Sequence, residues 1–288
     1  MENIDKLVLG TVQFGMNYGI NNHDGQVKNE ELVKILDVCR KEGINCFDTA
    51  FDYGNSEERL GEYFSRHKDY VPHIISKYSQ KSMPLLDECQ KSLDRLRVNV
   101  LYAYLVHNFS LYLDNPCISK DFRLLKDKGL VKKTGFSLYT LEELDYLLEH
   151  EIEFDIVEIP YNIFDRRFER YFSLLKERGK DIFVRSVFLQ GLFFMDVENI
   201  PSKLKVLAPH LKKMADFATR KEISLRGICL NYVCSNPLID GVLIGVDSAV
   251  QLLNNLKSIK VESIDDDCIE FINSICLNDE KMILPINW

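Results

Sequence analysis

Apolar residues along the chain follow two alternating rhythms. Short β-branched or aliphatic runs occur at 7–11, 44–48, 73–77, 100–106, 133–136, 155–159, 182–185 and 242–245. Each is followed by a longer stretch whose apolar positions recur every three or four residues, the spacing of one helix face. After the first run, Leu32, Ile35, Leu36 and Cys39 keep that spacing, with Asn29 placed to cap the helix and Gly43 to end it. Thr140-Leu141-Glu142-Glu143 reads as a capping box, and so does Ser248-Ala249-Val250-Gln251 directly after the last run. A helical pattern over 166–176 stops at Gly179, and Ser263 stands where it could cap one more helix in the tail.

Strands alternating with helices predict a parallel sheet. No Pro/Ser-rich linker or low-complexity segment divides the eight units, so the whole chain, 1–288, reads as one domain of class α/β. Eight βα units in an unbroken chain favour a closed (β/α)8 barrel over an open doubly wound sheet. Gly10-Thr11-Val12-Gln13-Phe14-Gly15 follows the first strand but lacks the G-x-G-x-x-G spacing of a dinucleotide-binding open sheet. The tail, 257–288, ends in Trp288, the only tryptophan, and is expected to shape the mouth of the barrel together with Phe51 and Asn108.

Composition narrows the partners. With 36 Lys+Arg against 44 Asp+Glu the net charge is −8, which does not favour a phosphate backbone, so no nucleic acid is expected. No apolar run reaches membrane-spanning length, and the first residues from Met1 lack the basic head and apolar stretch of a signal peptide. A cytoplasmic protein is expected. The eight cysteines form no C-x-x-C pair and no zinc-ligand spacing with histidine, and read as reduced, mostly buried residues with no bound metal.

In such a barrel the chemistry sits where strands end at their C-termini. The second predicted strand ends in Asp48, the third in Lys77, and the fourth leads into His107, so an acid, a base and an imidazole converge on one mouth. Tyr53 follows Asp48 by five residues. Charges there need partners, and Asp48 with Lys77 is a natural pair. A phenol has an ordinary pKa near ~10, and a neighbouring lysine cation favours its phenolate and lowers that value. His107 could hold a carbonyl oxygen against the Tyr53 hydroxyl. Such a set protonates an alkoxide as it forms, the need of carbonyl reduction. A proton-transfer isomerase or lyase is the rival chemistry for the same four residues.

Phe47-Asp48-Thr49-Ala50-Phe51-Asp52-Tyr53-Gly54, continued by Ser56-Glu57-Glu58-Arg59-Leu60-Gly61, resembles the signature of the aldo-keto reductases. Lys77, His107, Asp155-Ile156-Val157-Glu158-Ile159-Pro160-Tyr161-Asn162 and Val187-Phe188-Leu189-Gln190-Gly191-Leu192 extend the likeness over roughly residues 6–256. The resemblance implies a TIM barrel and a nicotinamide cofactor, NAD(P)H, bound extended. It makes Tyr53 the general acid, supported by Lys77, Asp48 and His107. The segments from Gly10 to Ile20 and from Phe188 to Gly191 are similar to members of bacterial polysaccharide or nucleotide-sugar pathways, which implies a sugar-like carbonyl as the small-molecule substrate.

On the cofactor side, the resemblance assigns Gly10, Thr11, Asp48, Ser137, Glu158, Arg185, Ser186, Val187, Leu189, Gly191, Gly245, Asp247, Gln251 and Asn255. Two positions depart from the family pattern. Leu138 follows Ser137 where Asn is usual, and Glu158 stands for Gln; a carboxylate accepts from a carboxamide NH2 but cannot donate to its oxygen. Arg185 stands where many members place a tyrosine stacked on the nicotinamide, a task open to a guanidinium plane. Asp247 puts negative charge where users of the 2′-phosphorylated cofactor usually carry cations, which favours NADH or dual use. Asp247 and Ser248 also read simply as a helix cap closed by Gln251. The altered carboxamide contacts leave an alternative open: a slow or non-catalytic NAD(P)H-binding sensor or partner protein on the same fold.

Overall fold

The computed structural model describes residues 3–277, 279–284 and 288. Met1, Glu2 and, in the tail, Asn278 and residues 285–287 lie outside the described residues, and so do the parts of the sequence reading that fall on them. Eight parallel strands close into a barrel in sequence order: β1 Leu7–Gly10, β2 Cys46–Asp48, β3 His73–Tyr78, β4 Leu101–Val106, β5 Val131–Ser137, β6 Ile156–Pro160, β7 Asp181–Arg185 and β8 Gly241–Gly245. Every predicted strand exists, with ends shifted by one or two residues. Closure is made by β1 on β8, with Gly10 opposite Gly245. The fold class expected from the alternation is the one observed.

Alternation along the strands divides the side chains. Val8, Ile75, Ala103, Leu105, Ile156, Phe183 and Leu243 fill the barrel interior, while the intervening residues pack outward against the helices in a larger apolar layer. At the N-terminal end the ring of His73 stacks on Tyr102 at 4.9 Å, and Lys133 bonds Asp181, which closes that end with polar side chains. The opposite end is therefore the one free to hold a ligand.

Local signals mostly act as read. Thr140 and Glu143 form the capping box of the helix Leu141–Glu149, Gly43 ends the helix Asn29–Glu42 at φ +78°, and Ser248 caps Ala249–Val261. Three readings need correction. Lys28, not Asn29, is the cap residue of the first of these helices. The pattern over 166–176 divides into a 3-10 turn, Arg167–Tyr171, and a short helix, Phe172–Glu177. In the tail, Asp265 rather than Ser263 caps the helix Asp266–Ser274, its carboxylate accepting from Cys268 N.

The described cysteines form no disulfide with one another. Burial pushes the thiols of Cys39, Cys46, Cys89 and Cys234 up to about 12, so these are inert apolar fillers. Among the described residues, no helix is long and apolar enough to cross a membrane.

Candidate active site

The catalytic end of the barrel is built around a buried lysine. Lys77 projects inward from β3 and is fully buried. Its Nζ donates to Oδ1 and Oδ2 of Asp48 at 2.5 Å and to Thr49 O at 3.2 Å, and lies 3.3 Å from Glu158 Oε2. Arg185 Nε lies 3.4 Å from Glu158 Oε1, which also accepts from Ser137 Oγ at 3.0 Å. Two carboxylates and two cations thus form a charge-balanced quartet, which is how four ionic groups remain inside a barrel. Burial alone would favour the neutral amine, but Asp48 and Glu158 outweigh it and raise the Lys77 pKa. Burial and the charge of Glu158 push Asp48 upward, while Lys77 and Arg185, against burial, hold Glu158 low.

Tyr53 lies over this quartet. Lys77 Nζ is 5.6 Å from the centre of its ring, and the His107 ring meets it edge-on at 5.5 Å. Lys77 does act to lower the phenol's pKa, as expected, but it does not set the net direction. Burial dominates and raises it; Lys77 opposes, while Asp48 and Glu158 add to the rise. Tyr53 is therefore held firmly as the protonated phenol, a donor that yields its proton only to a strong base such as a nascent alkoxide.

The position of Tyr53 is fixed by close backbone contact. The turn Val12–Gly15 passes so near the Tyr53 loop that a Cβ on Gly15 would sit 1.6 Å from Tyr53 O. Thr11 Oγ1 donates to Asp48 O at 2.8 Å, and Ser56 Oγ donates to Thr11 O at 3.0 Å, tying the start of that turn to the same loop. A Cβ on Gly54, at φ +53°, would in turn sit 2.2 Å from Gly15 O.

A cleft of about 310 Å³ opens over Tyr53 and His107 and runs between the loops after β1, β7 and β8. Of the residues assigned to the cofactor side, all but Leu189 line it. Leu189 is buried in the apolar layer, so it supports the loop from behind. That loop is strained: Ser186, Leu189 and Gln190 have φ of +63°, +46° and +54°, beside Gly191 at +88°. Left-handed non-glycine residues cost free energy and gather where a ligand must be approached closely. Among the described residues, Gln13 Oε1 and Arg226 Nε are buried polar atoms of the cleft lining without a hydrogen-bond partner, while Glu158 Oε2 and Arg185 Nε are met only by the ion pairs above. Unmet donors and acceptors along an extended cleft fit a long polar cofactor.

Some residues fall elsewhere than expected. Leu138 turns its side chain into the core and offers only its carbonyl, which accepts from Arg185 Nη2 at 2.9 Å. The next residue, Tyr139, lines the cleft instead, its ring 4.1 Å from the Arg185 guanidinium. Phe51 does not line the cleft; the Arg95 guanidinium covers its ring at 3.8 Å. Asn108 caps a short helix by accepting from Ser110 N, and none of the described tail residues lines the cleft. Instead the tail braces the loop after β6, with Leu277 N donating to Phe164 O at 2.9 Å and Arg167 paired with Glu280.

The sequence reading missed Glu31, Asp52, Ser79 and Arg226. Asp52 and Ser79 follow strand ends and carried a positional signal. Glu31 and Arg226 lie on helices and meet the site only through tertiary packing.

A parallel eight-stranded barrel with a buried Asp–Lys pair, a tyrosine and a histidine at the C-terminal ends of its strands defines a class of proton-donating oxidoreductases. Residues 6–276 match the model of the Aldo/keto reductase family, and the chain belongs to that family. It is 25% identical over 279 residues to the uncharacterized oxidoreductase YqkF of Bacillus subtilis, covering 87% of this chain and 89% of that protein. It is 23% identical over 266 residues to L-galactose dehydrogenase of Arabidopsis thaliana, covering 84% and 82%. The fold is shared with the aldo-keto reductase AKR11C1 from Bacillus halodurans in its holo form, at TM-score 0.75 and 19% identity over 96% of this chain and 95% of that one. It is likewise shared with an aldo/keto reductase from Klebsiella pneumoniae in complex with NADP and acetate, at TM-score 0.71 and 17% identity over 96% and 94%. The chain is an NAD(P)H-dependent oxidoreductase acting on carbonyl groups, and the reading as a non-catalytic binder is not favoured.

Proposed function

We propose that the protein reduces a small, polar, sugar-like carbonyl compound in the cytoplasm, with Tyr53 as the proton donor and NADH as the preferred cofactor. The observation that carries the proton role is the position of Tyr53 between Lys77 Nζ and the His107 ring at the floor of the cleft. When bound, the nicotinamide supplies the hydride. The chain's residues manage the oxygen: His107 orients it, Tyr53 protonates it, and the Lys77 cation, kept charged by Asp48 and Glu158, favours the phenolate left behind. Arg185, Glu158 and Ser137 would border the nicotinamide end. The backbone of the strained Ser186–Gly191 loop would border the pyrophosphate. The many polar groups lining the cleft support a polar substrate, and one relative is named a dehydrogenase of a sugar. The buried free thiols of Cys39, Cys89, Cys229, Cys234 and Cys268 support a reducing compartment.

The preference for NADH rests on charge at the N-terminus of the helix Ala249–Val261. Glu31 Oε1 accepts from Ala249 N at 2.8 Å, so a carboxylate already holds a donor that a 2′-phosphate would seek. Asp247 stands beside it and is held by Gln251 and Asn22. A second reading, use of the phosphorylated cofactor, is favoured by Arg226, which lines the same cleft with Nε unpartnered and its guanidinium 5.2 Å from the Phe194 ring. Parallel fluorescence titrations with NADH and NADPH test the choice. We expect NADH to bind at least about tenfold more tightly, about 1.4 kcal/mol, and Glu31→Gln to narrow the gap. Tighter NADPH binding, lost in Arg226→Ala, would establish the second reading. Cofactor consumption with a panel of aldehydes and reducing sugars then tests the substrate class.

A further inference from the structure

A hydrogen-bonded triangle behind the histidine bears on which proton the site handles. His107 Nδ1 lies 3.2 Å from Asp52 Oδ1 and 3.0 Å from Ser79 Oγ, and Ser79 Oγ lies 3.0 Å from the same Asp52 oxygen. The three groups come from the loops after β2, β3 and β4, so the contact is built by the barrel's topology. The loop carrying Ser79 is itself pinned: the buried Glu88 carboxylate accepts from Ser79 N at 2.7 Å and Gln80 N at 3.0 Å.

The donors and acceptors of this triangle can be counted. A carboxylate accepts only. Burial works against ionisation of Asp52, but His107 and Ser79 hold its pKa below the usual carboxylate value. The single hydroxyl hydrogen of Ser79 is donated to Asp52 Oδ1, so a bare Nδ1 would set its lone pair against the carboxylate and the serine oxygen alike, and Nδ1 carries the hydrogen. Neutral His107 then offers an unprotonated Nε2 to the substrate. Nε2 in that form accepts from an alcohol hydroxyl but cannot donate to a carbonyl oxygen; only the imidazolium, with Asp52 behind it, can donate.

We infer that Asp52, aided by Ser79, is a positioning residue that fixes the hydrogen of neutral His107 on Nδ1 and so sets what its Nε2 presents to the substrate oxygen. This rests on the proposed role of His107 at the substrate oxygen. Other charged groups near the histidine are Lys77 beneath Tyr53, the Glu158 carboxylate, and Glu88 on the far side of the Ser79 backbone. Lys77 and Glu158 belong to the balanced quartet, which leaves Asp52 as the counter-charge in direct contact. The general rule is that the partner of one ring nitrogen sets the state of the other.

The test is a nitrogen-15 NMR spectrum of histidine-labelled protein, with His107 identified through His107→Gln. At a pH where His107 is neutral, the wild type should show protonated Nδ1 and bare Nε2. Asp52→Asn should lose that fixed pattern and populate the Nε2–H form, and Ser79→Ala should do so partly. In parallel, Asp52→Asn should lower kcat/KM for reduction by about tenfold, with cofactor binding unchanged. A wild-type Nε2–H tautomer, or an Asp52→Asn protein with the wild-type spectrum, would overturn the inference. The spectrum needs no turnover, so it stands apart from the reductase reading, which fails on a different result: full activity in Tyr53→Phe.

Discussion

The closest constraint on Tyr53 is a backbone one, which makes Gly15→Ala an informative single-methyl perturbation. The new Cβ would lie 1.6 Å from Tyr53 O, 2.6 Å from its carbonyl carbon and 2.9 Å from Ser56 N. These are main-chain atoms, so no rotamer change relieves the clash. Reaching even a tight 3.0 Å contact requires the turn and the loop to part by about 1.4 Å. Tyr53 O accepts from Ser56 N at 3.0 Å, and Tyr53 N donates to Ala50 O at 3.1 Å, so the displacement is carried into the phenol. Misplacement of a reacting group by about 1 Å costs on the order of 100-fold in rate, and overpacking costs about 1–3 kcal/mol in stability. Steady-state kinetics beside a urea melt should therefore show kcat down about 100-fold, a modest loss of stability, and NADH binding near the wild-type value. A variant with wild-type kcat would refute the claim that this contact sets the position of the proton donor.

Lys77→Met should lower folding stability by about 3–5 kcal/mol, because Asp48 and Glu158 would then face each other without their shared cation; Lys77→Met with Asp48→Asn should regain part of it in the same melt. Gly191→Ala places a Cβ 2.8 Å from Asn21 Cβ at a residue whose φ is +88°, and should weaken NADH binding several-fold while leaving the Tyr53 end of the site intact. Burial raises the Glu88 carboxyl from 4.5 to about 7, so the folded state holds a proton that the unfolded state releases. Stability should fall as pH rises through that window and level off above it. Glu88→Gln should flatten that decline in melts recorded across the range, and an unchanged slope would contradict the assignment.

Much of the fold was legible because βα alternation writes itself in apolar spacing. Asp48, Lys77 and His107 were legible because a polar residue ending an apolar strand is conspicuous. What escaped was whatever depends on packing between distant segments. Glu31 reaches the helix Ala249–Val261 across 218 positions of chain, and no local pattern marks it. Arg226 likewise reads as an ordinary residue in a helical first turn. Leu138 occupied the expected position in the sequence, yet its side chain points into the core, and the next residue, Tyr139, meets Arg185. The net direction of the Tyr53 shift was not legible because the charge partner was visible in the sequence and the depth of burial was not.

The central claim is that Tyr53 gives the proton as a carbonyl is reduced. A single-turnover measurement tests it most directly: protein saturated with NADH is mixed with an aldehyde that the wild type turns over, and cofactor oxidation is followed with Tyr53→Phe alongside. The account predicts that the variant binds NADH as the wild type does and loses turnover by at least about 100-fold, at the lower end of what general acid catalysis contributes. Oxidation of NADH by Tyr53→Phe at the wild-type rate would contradict it.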